Sequence, residues 1–270
     1  MRSLSELAGC NTSTPVSRAE AELEDFYEGS YRTSDGEKYG RWRQLGAITK
    51  ADHVVRLASA IGLHAPSIVA EIGCGDGAVL DQLGARGFGR ARIGFEISAA
   101  ATALAAERAG VTEAHLFDGR SVPVPDDTYD LVIASHVLEH VATPGALLQE
   151  MARIGRRVII EVPLEASLSA RRPGARAASG NAGHVQCFSR SAVRGLVADA
   201  GLEIRAELRD PQPLAVHLFG RASLPAKLSS YVKWATRGAI ARIPVAGERL
   251  ITLHYAVAAT PASAQCESPS

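Results

Sequence analysis

The stretch Val69-Ala-Glu-Ile-Gly-Cys-Gly-Asp-Gly77 limits the fold more than any other part of the chain. Apolar residues run straight into glycines at 73, 75 and 77, and the helical pattern Ala78–Ala85 follows. A buried strand, a tight turn and a helix are expected in that order. Lacking Cβ atoms, the turn can bend sharply and leaves no side chain between its main chain and a ligand. At the carboxyl end of the first strand of a doubly wound sheet, such a turn is where a nucleotide-like cofactor lies.

The rest of the chain reads as that kind of sheet. Strand candidates Ser67–Ile72, Arg92–Ile97, His115–Phe117, Leu131–Ser135 and Arg157–Val162 alternate with helix candidates Ala78–Ala85, Ala99–Ala109, Pro144–Ala152 and Ser191–Ala200. The strands are apolar almost throughout, as parallel strands covered on both faces are. Two late strands, Leu202–Leu208 and Leu250–Ala258, flank an insert over 211–247 that holds a basic amphipathic helix, Ser223–Gly238. That helix is expected to pack on its own domain rather than lie on a membrane.

Ahead of the first strand, Ala47–Ile61 reads as a helix with Ile48, Val54, Val55, Leu57, Ala58 and Ile61 mostly on one side. A helical arm is expected around Arg18–Tyr27. The aperiodic segment Phe26–Arg43 suits a cap that touches a ligand, with Tyr39, Arg41 and Trp42 placed to close over it. The expected division is an arm and helical cap over 1–62, the cofactor domain over 63–260 and a disordered tail over 261–270.

Composition narrows the class of partner. Lys+Arg and Asp+Glu balance at 29 each in 270 residues, so no global field draws the chain to nucleic acid or an anionic membrane. The four cysteines, Cys10, Cys74, Cys187 and Cys266, have no paired spacing, which predicts neither a disulfide framework nor a zinc knuckle. No apolar leader or spanning run is present, so membrane insertion is not expected and a cytoplasmic setting is the default. The chain is compatible with a homodimer.

The glycine turn does not name its cofactor. Residues 73–78 also satisfy the dinucleotide pattern G-x-G-x-x-A, and Glu96, about 20 residues on, suits the ribose hydroxyls of any adenosine cofactor. An NAD-dependent oxidoreductase is open at this point. Phe117-Asp118-Gly119 then places a carboxylate and a ring where an adenine would lie, and Tyr129–Val141 forms a fourth strand with a charged segment after it.

Four ordered motifs make the reading specific: EIGCGDG at 71–77, GFEIS at 94–98, FDG at 117–119 and YDLVIASHVLEHV at 129–141. With them, from Ser67 to Leu202, the chain resembles the class I S-adenosylmethionine-dependent methyltransferases that act on small molecules. The resemblance implies an α/β fold with a doubly wound, mostly parallel seven-stranded sheet whose last strand is antiparallel. It also implies a site. Glu71, Gly73 and Gly75, with Cys74 and Asp76 contributing through backbone or water, would hold the methionine half of S-adenosyl-L-methionine. Glu96 would take the ribose hydroxyls, Ile97 would line the adenine, and Asp118 with Gly119 would read its edge. Ser135 and His136 would sit beside the sulfonium.

On the acceptor side, an attacking oxygen or nitrogen is helped by a group that takes up its proton. His184 is the first choice for that role, with His136 and His140 as further catalytic candidates. Glu165, Arg171 and Arg172, in the linker after the fifth strand, are placed to meet a polar acceptor. His136, Glu139, His140 and His184 together offer three imidazoles and one carboxylate. Some relatives carry Glu-x-x-Glu-His there, and His136 in place of the first Glu speaks against a magnesium site, so no metal is expected. The function read from the sequence is methyl transfer to an oxygen or nitrogen of a small molecule. An NAD-dependent oxidoreductase would leave Asp118 and the His136–His140 run without a cofactor role, and a non-catalytic cofactor-binding scaffold is the other alternative.

Overall fold

The apolar strands pair into one sheet. In a computed structural model that describes residues 25, 28, 29, 31, 36–243 and 245–262, seven strands lie in the order β3-β2-β1-β4-β5-β7-β6. In chain order, α1 (Gly36–Ala60) precedes β1 (Ile68–Ile72), α2 (Ala78–Ala85), β2 (Ala91–Glu96), α3 (Ala99–Ala106), β3 (Glu113–Leu116) and β4 (Leu131–Ser135). There follow α4 (Pro144–Ile154), β5 (Val158–Pro163), α5 (Pro173–Asn181), α6 (Arg190–Asp199) and β6 (Leu202–Asp210). Three helices, α7 (Leu214–Leu218), α8 (Leu224–Ala241) and α9 (Ala246–Leu250), then lead into β7 (His254–Pro261). All pairings are parallel except those of β7, which runs antiparallel to β5 and β6. The expected α/β sheet is therefore present, with the strand order reversing between β1 and β4, where ligands bind in such sheets.

The central strands β1, β4, β5 and β7 are buried on both faces, and strand alternation assigns each residue its side. Along β4, Leu131 and Ile133 pack with α1 and α2, while Val132 and Ala134 pack with α4 and α6. Each such fully buried aliphatic side chain contributes about 1.5–3 kcal/mol. Helix α1 covers its face with Ala47, Ala51, Val54 and Ala58, at the spacing of one helical stripe. Small residues there let the helix lie close to the sheet. His53 is also buried on α1, a polar residue inside the packed layer.

Several expectations need correction. Helix α1 starts at Gly36, within the segment read as aperiodic; Val54, Leu57 and Ala58 are buried as expected, but Ile48 is exposed and Ala47 and Ala51 complete the stripe. The linker after β5 contains a short helix, α5, started by Pro173 at its first position; none of its residues is buried, so no apolar period marks it. Residues 246–250 form α9 and not the start of the last strand. A Cβ on Gly247 would stand 2.7 Å from the Ile240 carbonyl oxygen, so this turn packs directly on α8. The strand begins at His254, where pairing with β5 starts, and continues to Pro261, past the expected onset of the tail.

Helix α8 turns Leu224, Leu228, Tyr231 and Val232 outward and buries only Ser230, so most of its apolar side chains do not pack on the domain. No helix among the described residues is long and apolar enough to cross a membrane. The helical arm expected around 18–27, the side chain of Tyr39, and Cys10, Cys266 and residues 263–270 lie outside the description.

Candidate active site

Main chain builds the first part of the site. Gly73, Gly75 and Gly77 all have positive φ, at 66°, 56° and 73°. The Gly73 and Cys74 amides donate to the Phe95 carbonyl oxygen at 2.7 and 3.1 Å, which fastens the turn to β2. A Cβ on Gly73 would meet Val137 Cγ2 at 2.6 Å, and one on Gly75 would meet Tyr31 Oη at 2.6 Å. Both glycines are therefore required by space as well as by φ. The Cys74 side chain turns away from the ligand face and packs on β2, where a Cβ on Gly94 would lie 2.6 Å from its Sγ. Burial pushes its thiol up. Only its backbone can serve a cofactor.

Three carboxylates surround the turn in three different states. Glu71 is buried at the end of β1, and its Oε2 has no hydrogen-bond partner. Burial pushes its carboxyl well above the usual range, against the pull of Lys50. Such an acceptor is costly unless a donor arrives, and an ammonium group is a donor of the right kind. Glu96, at the end of β2, accepts from the Gly75 amide at 2.8 Å through Oε2, and from the Ile97 and Ser98 amides at 2.8 and 3.1 Å through Oε1. Burial raises its pKa, and the three amides oppose the rise. Asp76 is buried between Arg108 and Arg43, at 2.9 and 3.3 Å.

The residues expected on the adenine side are more open. Asp118 is exposed, and its Oδ1 accepts from the Arg120 and Ser121 amides at 2.8 and 2.9 Å, so half of the carboxylate closes its own turn. The Phe117 amide donates to the Glu96 carbonyl oxygen at 2.9 Å, bringing this turn beside β2. A Cβ on Gly119 would be 3.7 Å from Ile97 Cγ2, so the structure brings Ile97 and Gly119 together as the sequence predicts.

From the cap, Tyr31 lies on the glycine turn with the Arg43 guanidinium 4.5 Å above its ring centroid. Burial pushes the Tyr31 hydroxyl up. Tyr31 and Arg43 close over the turn; of the residues expected there, Arg41 and Trp42 are exposed and the side chain of Tyr39 lies outside the described residues. Trp42 is 41% exposed.

The second part of the site is made of side chains that meet from distant strands. Ser135 ends β4 with its hydroxyl buried and without a hydrogen bond. His136 follows at φ 60°, a left-handed conformation that favours glycine. Its Nδ1 is 3.0 Å from Glu139 Oε1, and its Nε2 is 3.4 Å from Glu161 Oε1 on β5. His254, from β7, stands 3.0 Å from the same Glu161 oxygen, with its ring centroid 4.7 Å from that of His136. Glu161 Oε2 faces His53 Nδ1 at 3.0 Å, and His53 Nε2 faces Asp210 at 3.2 Å. With a carboxylate at each ring nitrogen, His53 donates twice. Burial works against its charge, but the two carboxylates prevail and hold its pKa at about 9.

The segment carrying His184 docks on this turn: the Val185 and Gln186 amides donate to the Glu139 carbonyl oxygen at 2.8 and 3.0 Å. His140 and His184 consequently meet edge to face, with centroids 4.8 Å apart. His140 donates from Nδ1 to the Gly183 carbonyl oxygen at 3.2 Å, and burial lowers its pKa to about 4. His184 is oriented by Glu165, 2.9 Å from its Nδ1, and Glu165 also accepts from Ser179 Oγ at 2.8 Å. The Glu139 carboxylate stays ionised despite its burial because His136 is adjacent, and its pKa falls to about 2. The sequence set of His136, Glu139, His140 and His184 thus divides. Glu139, His140 and His184 form one group, while His136 joins Glu161 and His254.

Sequence reasoning missed His53, Glu161, His254, Tyr31 and Val137 as parts of the site. Two of these had a signal: His53 interrupts a buried helix stripe, and Glu161 is an acid inside an otherwise apolar strand.

Comparison with known proteins decides the family. A family profile described as a methyltransferase domain matches residues 39–207, more than half of the chain. The chain belongs to the S-adenosylmethionine-dependent methyltransferases of class I. No curated protein matches this methyltransferase in sequence. Its fold is shared with the Haloferax volcanii protein solved with the Trm112 methyltransferase activator (TM-score 0.60, 16% identity, covering 87% of this chain and 97% of that one). It is also shared with magnesium protoporphyrin IX methyltransferase from Synechocystis, solved with bound SAH (0.57, 15%, 90% and 99%). Geranyl diphosphate methyltransferase, solved with SAM, is a third similar structure (0.57, 15%, 79% and 85%).

Proposed function

We propose that this methyltransferase moves the methyl group of S-adenosyl-L-methionine to an oxygen or nitrogen of a small-molecule acceptor. The observation that carries the proposal is the adjacency of the two parts of the site. Val137 packs on Gly73, so the turn that would hold the donor and the His136–His140 segment share one wall.

The residues present fit the donor. The unpartnered Glu71 oxygen is an acceptor for the ammonium group, and the backbone of Gly73, Cys74 and Gly75 leaves room for the methionine half. The amino terminus of α2 favours its carboxylate. Glu96 takes the ribose hydroxyls, with Ile97, Asp118 and Gly119 on the adenine side. Ser135 and His136 border the sulfonium, whose positive charge the surrounding carboxylates tolerate.

When bound, the cofactor supplies an activated methyl group. The protein's part is to align the acceptor with it, which is worth about 7–11 kcal/mol in favourable cases, and to take up the acceptor's proton. His184, oriented by Glu165, is the group for that proton. His140 holds the ring of His184 from the side, and His136 borders both halves. A sequence with 29 basic and 29 acidic residues is suited to small molecules rather than nucleic acid.

Isothermal titration with S-adenosylhomocysteine and with NAD tests the donor. Micromolar binding of the first and none of the second is expected, and the reverse would refute the assignment. Label from methyl-tritiated cofactor should then appear in small molecules of a cell extract. A protein that binds the donor tightly but labels no extract fraction would instead be a binding scaffold.

A further inference from the structure

We infer that His136, His254 and Glu161 form a binding site for one divalent first-row transition-metal ion. The inference goes beyond methyl transfer, and of its three ligands only His136 also borders the proposed donor site. The three ligand atoms come from the end of β4, from β7 and from β5, and all lie within 4.8 Å of one another.

Their spacing suits an ion between them. Nitrogen and oxygen ligands lie about 2.0–2.2 Å from zinc, so neighbouring ligands of a tetrahedral ion stand about 3.3–3.5 Å apart. Here Glu161 Oε1 is 3.4 Å from His136 Nε2 and 3.0 Å from His254 Nδ1. The ion would replace the proton that His254 Nδ1 now shares with Glu161. His136 Nε2 is buried and makes no hydrogen bond, a cost that a metal bond removes. Two imidazoles and one carboxylate are a borderline donor set, suited to zinc, iron or cobalt rather than magnesium or calcium. Three protein ligands also leave a position open, as catalytic sites do.

A supporting shell surrounds the set. Metal-bound imidazoles and carboxylates are usually fixed by further hydrogen-bonding groups on their outer atoms. His136 has Glu139 at its other nitrogen, 3.0 Å away, and Glu161 has His53 at its other oxygen, also 3.0 Å away. Asp210 in turn fixes His53 at 3.2 Å. The carboxylates Glu161, Glu139 and Asp210 outnumber the nearby cations, Lys50 on α1 and the His53 imidazolium. Finally, His136 holds a left-handed φ, and residues in such conformations cluster at ligand sites.

The test uses the full chain, stripped with chelator and titrated with Co²⁺, whose visible absorption reports its coordination, with metal content checked by elemental analysis. One ion per chain is expected. His254→Ala and His136→Ala should each lose stoichiometric binding, and His53→Gln should weaken it by about 10- to 100-fold through Glu161. His184→Ala should keep it, which separates this site from the Glu139–His140–His184 group. Circular dichroism and thermal melting of every variant report folding. A folded wild-type chain that binds no ion overturns the inference, and so does binding that follows His184 rather than His254. Failure to bind S-adenosylhomocysteine would count against the methyltransferase site alone, since the ion count is read independently.

Discussion

Between β1, β2 and β4 the site is made largely of main chain; between β4, β5 and β7 it is made of side chains. In the first region three glycines with positive φ and the amides held by Glu96 define the shape, and they lie within 25 residues of one another in sequence. In the second region His53, Glu161, Asp210 and His254 are brought together from α1, β5, β6 and β7. A main-chain site depends on local conformation and is unforgiving of any added atom. A side-chain site depends on the packing of the whole sheet, and its chemistry can be changed without touching the turn. The two halves should therefore fail in different ways.

Gly75→Val should give the largest effect. The strained φ, about 1–2 kcal/mol, adds to a collision with Tyr31 that costs roughly another 1–3 kcal/mol. S-adenosylhomocysteine affinity should drop by on the order of 100- to 1,000-fold in calorimetry, and the melting temperature should fall by roughly 4–20 °C. Near-normal affinity would mean that the turn is not the donor site. His184→Ala probes the other half. Methyl-transfer kcat should fall by roughly 100-fold or more, the usual worth of a positioned proton acceptor, with donor affinity unchanged. Glu165→Gln should reproduce part of that loss, whereas equal losses in donor affinity and turnover would show that the halves are not separable.

Glu96→Gln comes next. One charged acceptor for three amides is replaced by a weaker one, and donor affinity should decrease by roughly 10-fold. An unchanged value would remove Glu96 from the donor half.

Glu150→Gln should touch neither half. Glu150 holds Arg153 through both oxygens at 2.8 Å, and hydrogen bonds from Arg153 lower its pKa. A carboxylate depressed in the folded state stabilises above its unfolded pKa, near about 4.3, and that stability is lost as pH falls through the folded value. The wild-type melting temperature should thus fall more steeply below about pH 4.3 than that of the variant. Parallel curves would contradict the role given to this pair. Donor affinity and kcat at neutral pH should match wild type.

How far the sequence could be read follows the same division. The strand–glycine–helix unit, the position of Glu96 and the apolar strands are local patterns, and the structure has them where they were expected. Boundaries were less legible where no apolar period exists, as at α5, or where a turn packs on a neighbouring helix, as at Gly247. Helix α1 began earlier than its pattern because residues 40–46 bury no side chain, so no apolar stripe marks its first turns. The histidines were visible one by one, but their grouping was not. His136 lies next to Glu139 and His140 in sequence, yet its Nε2 turns toward Glu161 and His254.

The sequence by itself determined the fold class and the turn that fits the donor, because short-range steric rules fix both within a few residues. Only the tertiary structure decided which acids and imidazoles meet on the acceptor side. That grouping depends on the order in which β4, β5, β7 and β6 pair and on how closely α1 lies across them, and no local pattern encodes it.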